Sequence, residues 1–172
     1  MKFCLSLLLI LSIHSVSSSQ SLANIKFSWK HLRYCKIGEP GKCTPLWITV
    51  EEKPIITSLT KAQFEDKIKA LSNELNLDED INGIMKIKFI IPIELPMCLQ
   101  KIGQKTTKLE DGEVEILANW FNTITDFIPG KYKGEAVNSQ GLLYLIIENG
   151  KIINFKHKRI LMADEAPAYN KL

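Results

Sequence analysis

Histidine is scarce in this chain of 172 residues, which holds 3, so few side chains can serve as acid or base near neutral pH. An excess of one charge is missing too. The 22 basic and 19 acidic side chains leave a formal net charge of +3, and the Lys and Arg do not gather into one stripe. That balance excludes the broad electrostatic footprint of a nucleic-acid binder. There is no Ser nucleophile elbow, phosphate-cradling glycine loop, HExxH pair or EF-hand loop, which leaves the familiar hydrolase, nucleotide-binding and metal-binding classes without support. No repeat, low-complexity tract or Pro/Gly/Ser-rich linker interrupts residues 50–160, and one compact unit accounts for them. With 45% hydrophobic and 24% charged residues, the composition is that of an ordinary globular domain.

What is present begins at the N-terminus. Lys2 supplies a short positive region, Phe3 to Val16 an apolar core, and Ser17, Ser18 and Ser19 the small residues that signal peptidase accepts. Residues 1–19 therefore read as an export signal cleaved before Gln20, leaving a periplasmic or secreted chain of about 150 residues. The alternative, a membrane anchor, needs ~20 predominantly apolar residues, and this run is shorter and weakened at His14. Cys4 precedes the apolar core, too early for the lipid-bearing cysteine of a lipoprotein. No later apolar run is long enough to span a bilayer.

Export favours disulfides. Cys35 and Cys43 flank a segment containing Gly38, Pro40 and Gly41, residues that let the chain fold back on itself. A Cys35–Cys43 disulfide closing a surface loop is expected, with Cys98 left unpaired. The alternative, half of a metal site, has only His31 nearby and no second Cys or His pair. This loop lies with Trp29 and Trp47 in an N-terminal extension, residues 20–47, either a short hairpin or a segment laid against the core.

The rest of the chain alternates helix and strand signals. Thr60 and Gln63 have capping-box spacing, and Phe64, Ile68, Leu71 and Leu75 recur at helical spacing, which predicts an amphipathic helix over about residues 61–75. Met85, Ile87, Phe89 and Ile91 follow with the period of a strand buried on one face. A second strand, roughly 97–102, begins after Pro96. A second helix starts near 108–110, where Thr107 and Glu110 have capping-box spacing, and carries Val114, Leu117, Trp120, Phe121 and Ile124 on one side. Residues 142–147 form a continuous apolar run, typical of a central strand buried on both faces. Asn149-Gly150 then supplies a tight hairpin turn into a strand over 152–160. Residues 161–172 read as a flexible tail. The order predicts an α+β fold with two helices on one face of a small, largely antiparallel sheet.

Within this pattern, Val50-Glu51-Glu52-Lys53-Pro54, a helix and Asn82-Gly83-Ile84 before an alternating strand resemble the opening of the TonB C-terminal domain of Bacteroidetes-type proteins. Ile128-Pro129-Gly130-Lys131 through Val137-Asn138 is similar to that family's "PGK-x-x-G-x-x-V" turn. The resemblance covers about residues 48–147 of a domain over 48–160. It departs where the family's "YP" is Leu77-Asp78, where its glycine after Ile84 is Met85, and where an Asp-Gly hairpin is replaced by the Pro92 to Pro96 stretch. The chain resembles a divergent member without anchor or Pro-rich spacer.

The resemblance implies a protein partner, an outer-membrane receptor segment or another envelope protein, bound by strand addition along a sheet edge. It implies no cofactor, no metal and no catalysis. The partner-binding strand is expected at Leu142, Tyr144 and Ile146, although a hairpin turning at Asn149-Gly150 would cover one of its edges. The competing reading is a small exported enzyme or ligand-binding protein using Cys98 as nucleophile and His157 as base on a neighbouring strand. Against it, Cys98 reads equally as a small buried hydrophobe. Asp78-Glu79-Asp80 lack a loop to converge on a cation and read as a solvated turn. Lys151, Lys156, Lys158 and Arg159 with His157 make the last hairpin basic, suited to an acidic glycan or lipid surface or simply to solubility. Tyr34, Trp29 and Trp47 could line a carbohydrate platform or pack the extension onto the sheet.

Overall fold

In a computed structural model, residues 28–31, 46–94, 97–104 and 109–166 are described. The export segment, the Cys35–Cys43 loop and residues 167–172 lie outside them. In chain order the strands are β1 (Ser28–His31), β2 (Ile55–Ile56), β3 (Gly83–Ile91), β4 (Cys98–Gln104), β5 (Phe127–Ile128), β6 (Gly130–Tyr132), β7 (Glu135–Val137), β8 (Ser139–Glu148), β9 (Lys151–Lys158) and β10 (Leu161–Met162). Two helices, α1 (Lys61–Leu75) and α2 (Asp111–Asn122), interrupt them.

Helix α1 starts where its sequence says. The Gln63 amide donates to Thr60 Oγ1 at 3.3 Å and the Thr60 amide to Gln63 Oε1 at 2.9 Å, satisfying two donors that a helix start leaves open. Phe64, Ile68, Leu71 and Leu75 are buried along one stripe, and Asn76, with φ 42°, turns the chain out of the helix. Helix α2 begins one turn later than expected. Its cap is Glu110, whose amide donates to Glu113 Oε2 at 2.7 Å, so the reciprocal pair is Glu110 and Glu113 rather than Thr107 and Glu110.

The main sheet has the order β1-β4-β3-β8-β9, and every neighbouring pair is antiparallel. This is the α+β architecture expected, with β1 from the N-terminal extension added beside β4. One face carries Met85, Ile87, Phe89, Ile102, Leu143 and Leu145 into a core shared with both helices. An aromatic chain crosses that core: Phe89 to Phe121 at 4.8 Å between centroids, Phe121 to Trp120 at 4.9 Å, Trp120 to Phe64 at 5.7 Å and Phe64 to Phe155 at 5.5 Å. Its tilted and edge contacts suit the ring quadrupoles. Strand β8 is buried along nearly its whole length, as its continuous apolar run predicts.

The expected flexible tail is corrected over residues 161–166. Strand β10 pairs in parallel with β2, which pairs in turn with β5, and Met162 is fully buried. The turn after β10 docks on α1, where the Lys61 amide donates to Asp164 Oδ1 at 2.9 Å, a carboxylate at the positive end of the helix dipole. Sequence periodicity misses this because the anchoring side chains are isolated in a short segment.

Candidate functional site

Strand order decides which backbone a partner can reach. Leu142, Tyr144 and Ile146 all lie on β8, which pairs with β3 on one side and β9 on the other. The expected partner-binding edge is therefore an interior strand. Its main-chain groups are consumed by two ladders, and Leu142 and Tyr144 are only 5% and 3% exposed. Among the described residues the sheet ends at β1 and β9.

Beside the outer edge of β9 runs a groove of about 230 Å³ between that strand and α1, with Ile68, Ile152, Ile153 and Phe155 on its apolar side and Lys61, Glu65 and Lys69 at its rim. Ile153 sits where the β8–β9 register shifts, as the extra residue of a bulge, and is 53% exposed. Two outward amides of the edge are already engaged. The Ile152 N–H donates to Ser72 Oγ of α1 at 2.8 Å, and the Phe155 N–H to Asn154 Oδ1 at 2.7 Å. By the alternation of an antiparallel ladder, the main chain of His157 faces outward as Phe155 does. Lys151, Lys156 and Lys158 line the strand. A bulge, capped amides and lysines are the devices by which an edge resists indiscriminate pairing.

Sequence reasoning passed over Ser72, although a signal existed: it falls on the apolar stripe of α1, one turn after Ile68, where a hydroxyl needs a partner. Replacing Ser72 with alanine leaves the Ile152 N–H without its acceptor at a buried site, and is expected to cost about 1–2 kcal/mol. Urea denaturation measures the loss. Hydrogen exchange at the Ile152 amide should quicken in the same variant.

The two short strings that carry the family resemblance meet in space. The Glu51 and Glu52 amides donate to the Lys131 carbonyl at 2.9 and 3.2 Å, and the Lys131 amide returns to the Glu52 carbonyl at 3.0 Å. The Lys131 ammonium pairs with the Glu52 carboxylate at 2.9 Å, and the Lys133 amide donates to Glu51 Oε2 at 2.9 Å. Lys133 and Gly134, with φ 54° and 81°, form the turn between β6 and β7. Trp47 stacks on Tyr132 with centroids 4.1 Å apart, so this tryptophan packs the end of the extension onto the hairpin. Trp29 lies at a register position opposite Gly103, and Tyr34 falls outside the described residues.

Cys98 and His157 are not brought together. Cys98 opens β4 opposite Ile90, on the face turned away from the helices; His157 lies opposite Leu143, on the core face of β9. Strands β3 and β8 intervene, which sets β4 and β9 ~14 Å apart. The expectation of neighbouring strands is thus corrected, and so is that of a free thiol. Cys98 is disulfide-bonded, and its partner, one of Cys4, Cys35 and Cys43, lies outside the described residues, as does the expected Cys35–Cys43 loop. His157 instead meets Glu165, with Nε2 3.4 Å from the carboxylate, which also accepts the Met162 amide at 3.0 Å. That arrangement ties β9 to the turn after β10.

Among the described residues no group of three or more His, Cys, Asp or Glu is placed to hold a metal ion, and no helix is long and apolar enough to cross a membrane. Asp78, Glu79 and Asp80 are all exposed in the turn after α1. A second groove, about 330 Å³ between the helices, is lined by Lys67, Glu74, Ile116, Asn119 and Trp120 among others, without the convergent acid and base of a catalytic site. Comparison with protein-family models, with curated proteins and with solved structures finds no match to this chain.

Proposed function

We propose that this chain is an exported, non-catalytic domain that resembles the TonB C-terminal domain and binds an extended segment of an envelope protein by strand addition. The observation that carries the reading is the edge of β9 with its adjoining groove: past the engaged Ile152 and Phe155 amides the main chain faces outward at His157, next to apolar side chains from Ile68, Ile153 and Phe155, which sets a stretch for backbone pairing beside a side-chain pocket, the two requirements of β-augmentation. The bulge and the edge lysines restrict the choice of partner to one whose side chains are acidic or polar beside the strand and apolar into the groove. The meeting of the Glu51-Glu52 and Lys131-Lys133 segments supports the resemblance, because it gives two distant strings a shared structural task.

A photo-crosslinking residue at position 153 tests the proposal. Incubated with envelope fractions, it is expected to capture a protein through an extended segment, whereas the same residue at position 79, in the exposed turn after α1, is not. A second change, His157→Pro, removes an outward N–H at an edge, where proline is tolerated, together with the Glu165 contact; it should abolish capture, whereas His157→Ala, which loses that contact but keeps the N–H, should not. No capture from position 153, or capture that His157→Pro leaves unchanged in folded protein, overturns strand addition at this edge.

A further inference from the structure

The described residues end at the mouth of the groove beside β9. Two contacts place them there: the Asp164 carboxylate accepts the Lys61 amide at 2.9 Å, and the Glu165 carboxylate lies 3.4 Å from His157 Nε2. Lys61 opens α1 and stands on the groove's rim, while His157 follows Phe155 of the groove wall by two positions, on the same face of β9. Ala166, buried at the end of this turn, therefore leaves between the two walls. Its backbone is extended, with φ −87° and ψ 110°, as the residue before a proline prefers.

The groove calls for a narrow occupant. At about 230 Å³ it falls below the ~300–1,000 Å³ of pockets that enclose a whole small molecule, which leaves room for one or two side chains of an extended segment. Its walls are apolar at Ile68, Ile152, Ile153 and Phe155, and on its rim Glu65 and Lys69 neutralise each other at 3.2 Å. The sequence after Ala166 runs Pro167-Ala168-Tyr169-Asn170-Lys171-Leu172, without a carboxylate side chain. Tyr169 has the apolar body and polar tip that suit an apolar floor below a polar rim. Lengths agree as well. From Lys61 to Lys69 the rim runs ~12 Å along α1, whereas six extended residues reach ~20 Å and the third of them ~10 Å.

We propose that residues 167–172 occupy this groove in the same chain, with the Tyr169 ring against Ile68, Ile153 and Phe155, and that they compete there with the partner segment. The competition rests on the strand-addition reading above; the occupancy does not. A tethered occupant reaches an effective concentration in the millimolar range, so even weak docking fills the groove in most molecules. A partner then binds with an affinity lowered by the fraction of chains whose groove is open. A second copy is a poorer occupant, because pairing two β9 edges would set Lys151, Lys156 and Lys158 of each against the other.

A photo-crosslinking residue at position 69 of the full chain tests the occupancy. The monomer is expected to carry a link to residues 167–172, in a yield independent of protein concentration, whereas the same probe at position 79 gives none. Tyr169→Ser should lower that yield roughly fivefold, and Asn170→Ser by less than about twofold. Capture of envelope protein from position 153 should rise about three- to tenfold in a chain truncated after Ala166, which keeps the Lys61 and His157 contacts. No link within the monomer, links that form only between copies, or equal effects of the two substitutions overturn the occupancy. Equal capture by full and truncated chains overturns the competition and leaves strand addition standing. A monomer link with no capture by either chain supports the occupancy and overturns strand addition instead.

Discussion

Gly150→Ala is expected to destabilise the protein by about 2–4 kcal/mol. Two penalties combine. Gly150 has φ 70°, where a Cβ is strained, and it follows Asn149 at φ 49° in the hairpin turn between β8 and β9. An added Cβ would also come within 2.6 Å of the Asp78 carbonyl oxygen, with the Leu77 carbonyl crowding it further. Both are backbone atoms and cannot step aside. The turn is docked on the segment after α1: the Gly150 amide donates to the Ile81 carbonyl at 2.9 Å and the Asn149 amide to Asn82 Oδ1 at 2.9 Å. Equilibrium urea denaturation measures the loss. Asn149→Ala should cost less, since it keeps the docking amide and adds no clash.

Gly141→Ala is expected to cost a similar ~2–4 kcal/mol for a different reason. Gly141 sits in β8 directly across from Phe89 of β3, whose ring covers the space a side chain would fill. An added Cβ would press into that ring, including a contact of 3.0 Å to Cδ2. Phe89 is 1% exposed and packs against Phe121, so it cannot turn away without disturbing the aromatic chain that links the sheet to both helices. A double-mutant cycle checks the mechanism. Gly141→Ala and Phe89→Leu should each destabilise, but together by clearly less than their sum, because leucine vacates the space that the alanine methyl needs. Additive losses would refute the steric account.

What the sequence makes legible here is what neighbouring residues decide among themselves. The capping box of α1, the alternation of β3, the doubly buried β8 and the left-handed pair at Asn149-Gly150 are all encoded within a few positions, and each stands where it was read. The cap of α2 shows the limit of such signals. Thr107 with Glu110 and Glu110 with Glu113 share the same spacing, and local sequence does not choose between them. Strands β2, β5 and β10 are two residues each; Ile55-Ile56, Phe127-Ile128 and Leu161-Met162 become strands only because the fold brings them together.

The site was harder to read for the same reason. Whether Leu142, Tyr144 and Ile146 form an edge depends on which strands flank β8, a property of chain order in space. The same order separates Cys98 from His157. Lys156, Lys158 and Arg159 stand together in sequence, but Lys86, Lys88 and Lys101 share a sheet face with Lys156 and Lys158 only through the registers of three other strands.

The parallel pairing of β10 with β2 bears on when the fold can finish. Ile56 and Met162 are both fully buried in this pairing, and the Leu161 amide donates to the Pro54 carbonyl at 3.0 Å. A chain that emerges N-terminus first, from a ribosome or through an export channel, presents β2 long before β10 exists. Until Met162 is released, Ile56 lacks its partner on that side, and the N-terminal end of α1 lacks the Asp164 carboxylate. The last described strand therefore acts as a timing element: a nascent chain stalled short of it can assemble the hairpins of the main sheet, yet remains unclosed and open to chaperones or proteases.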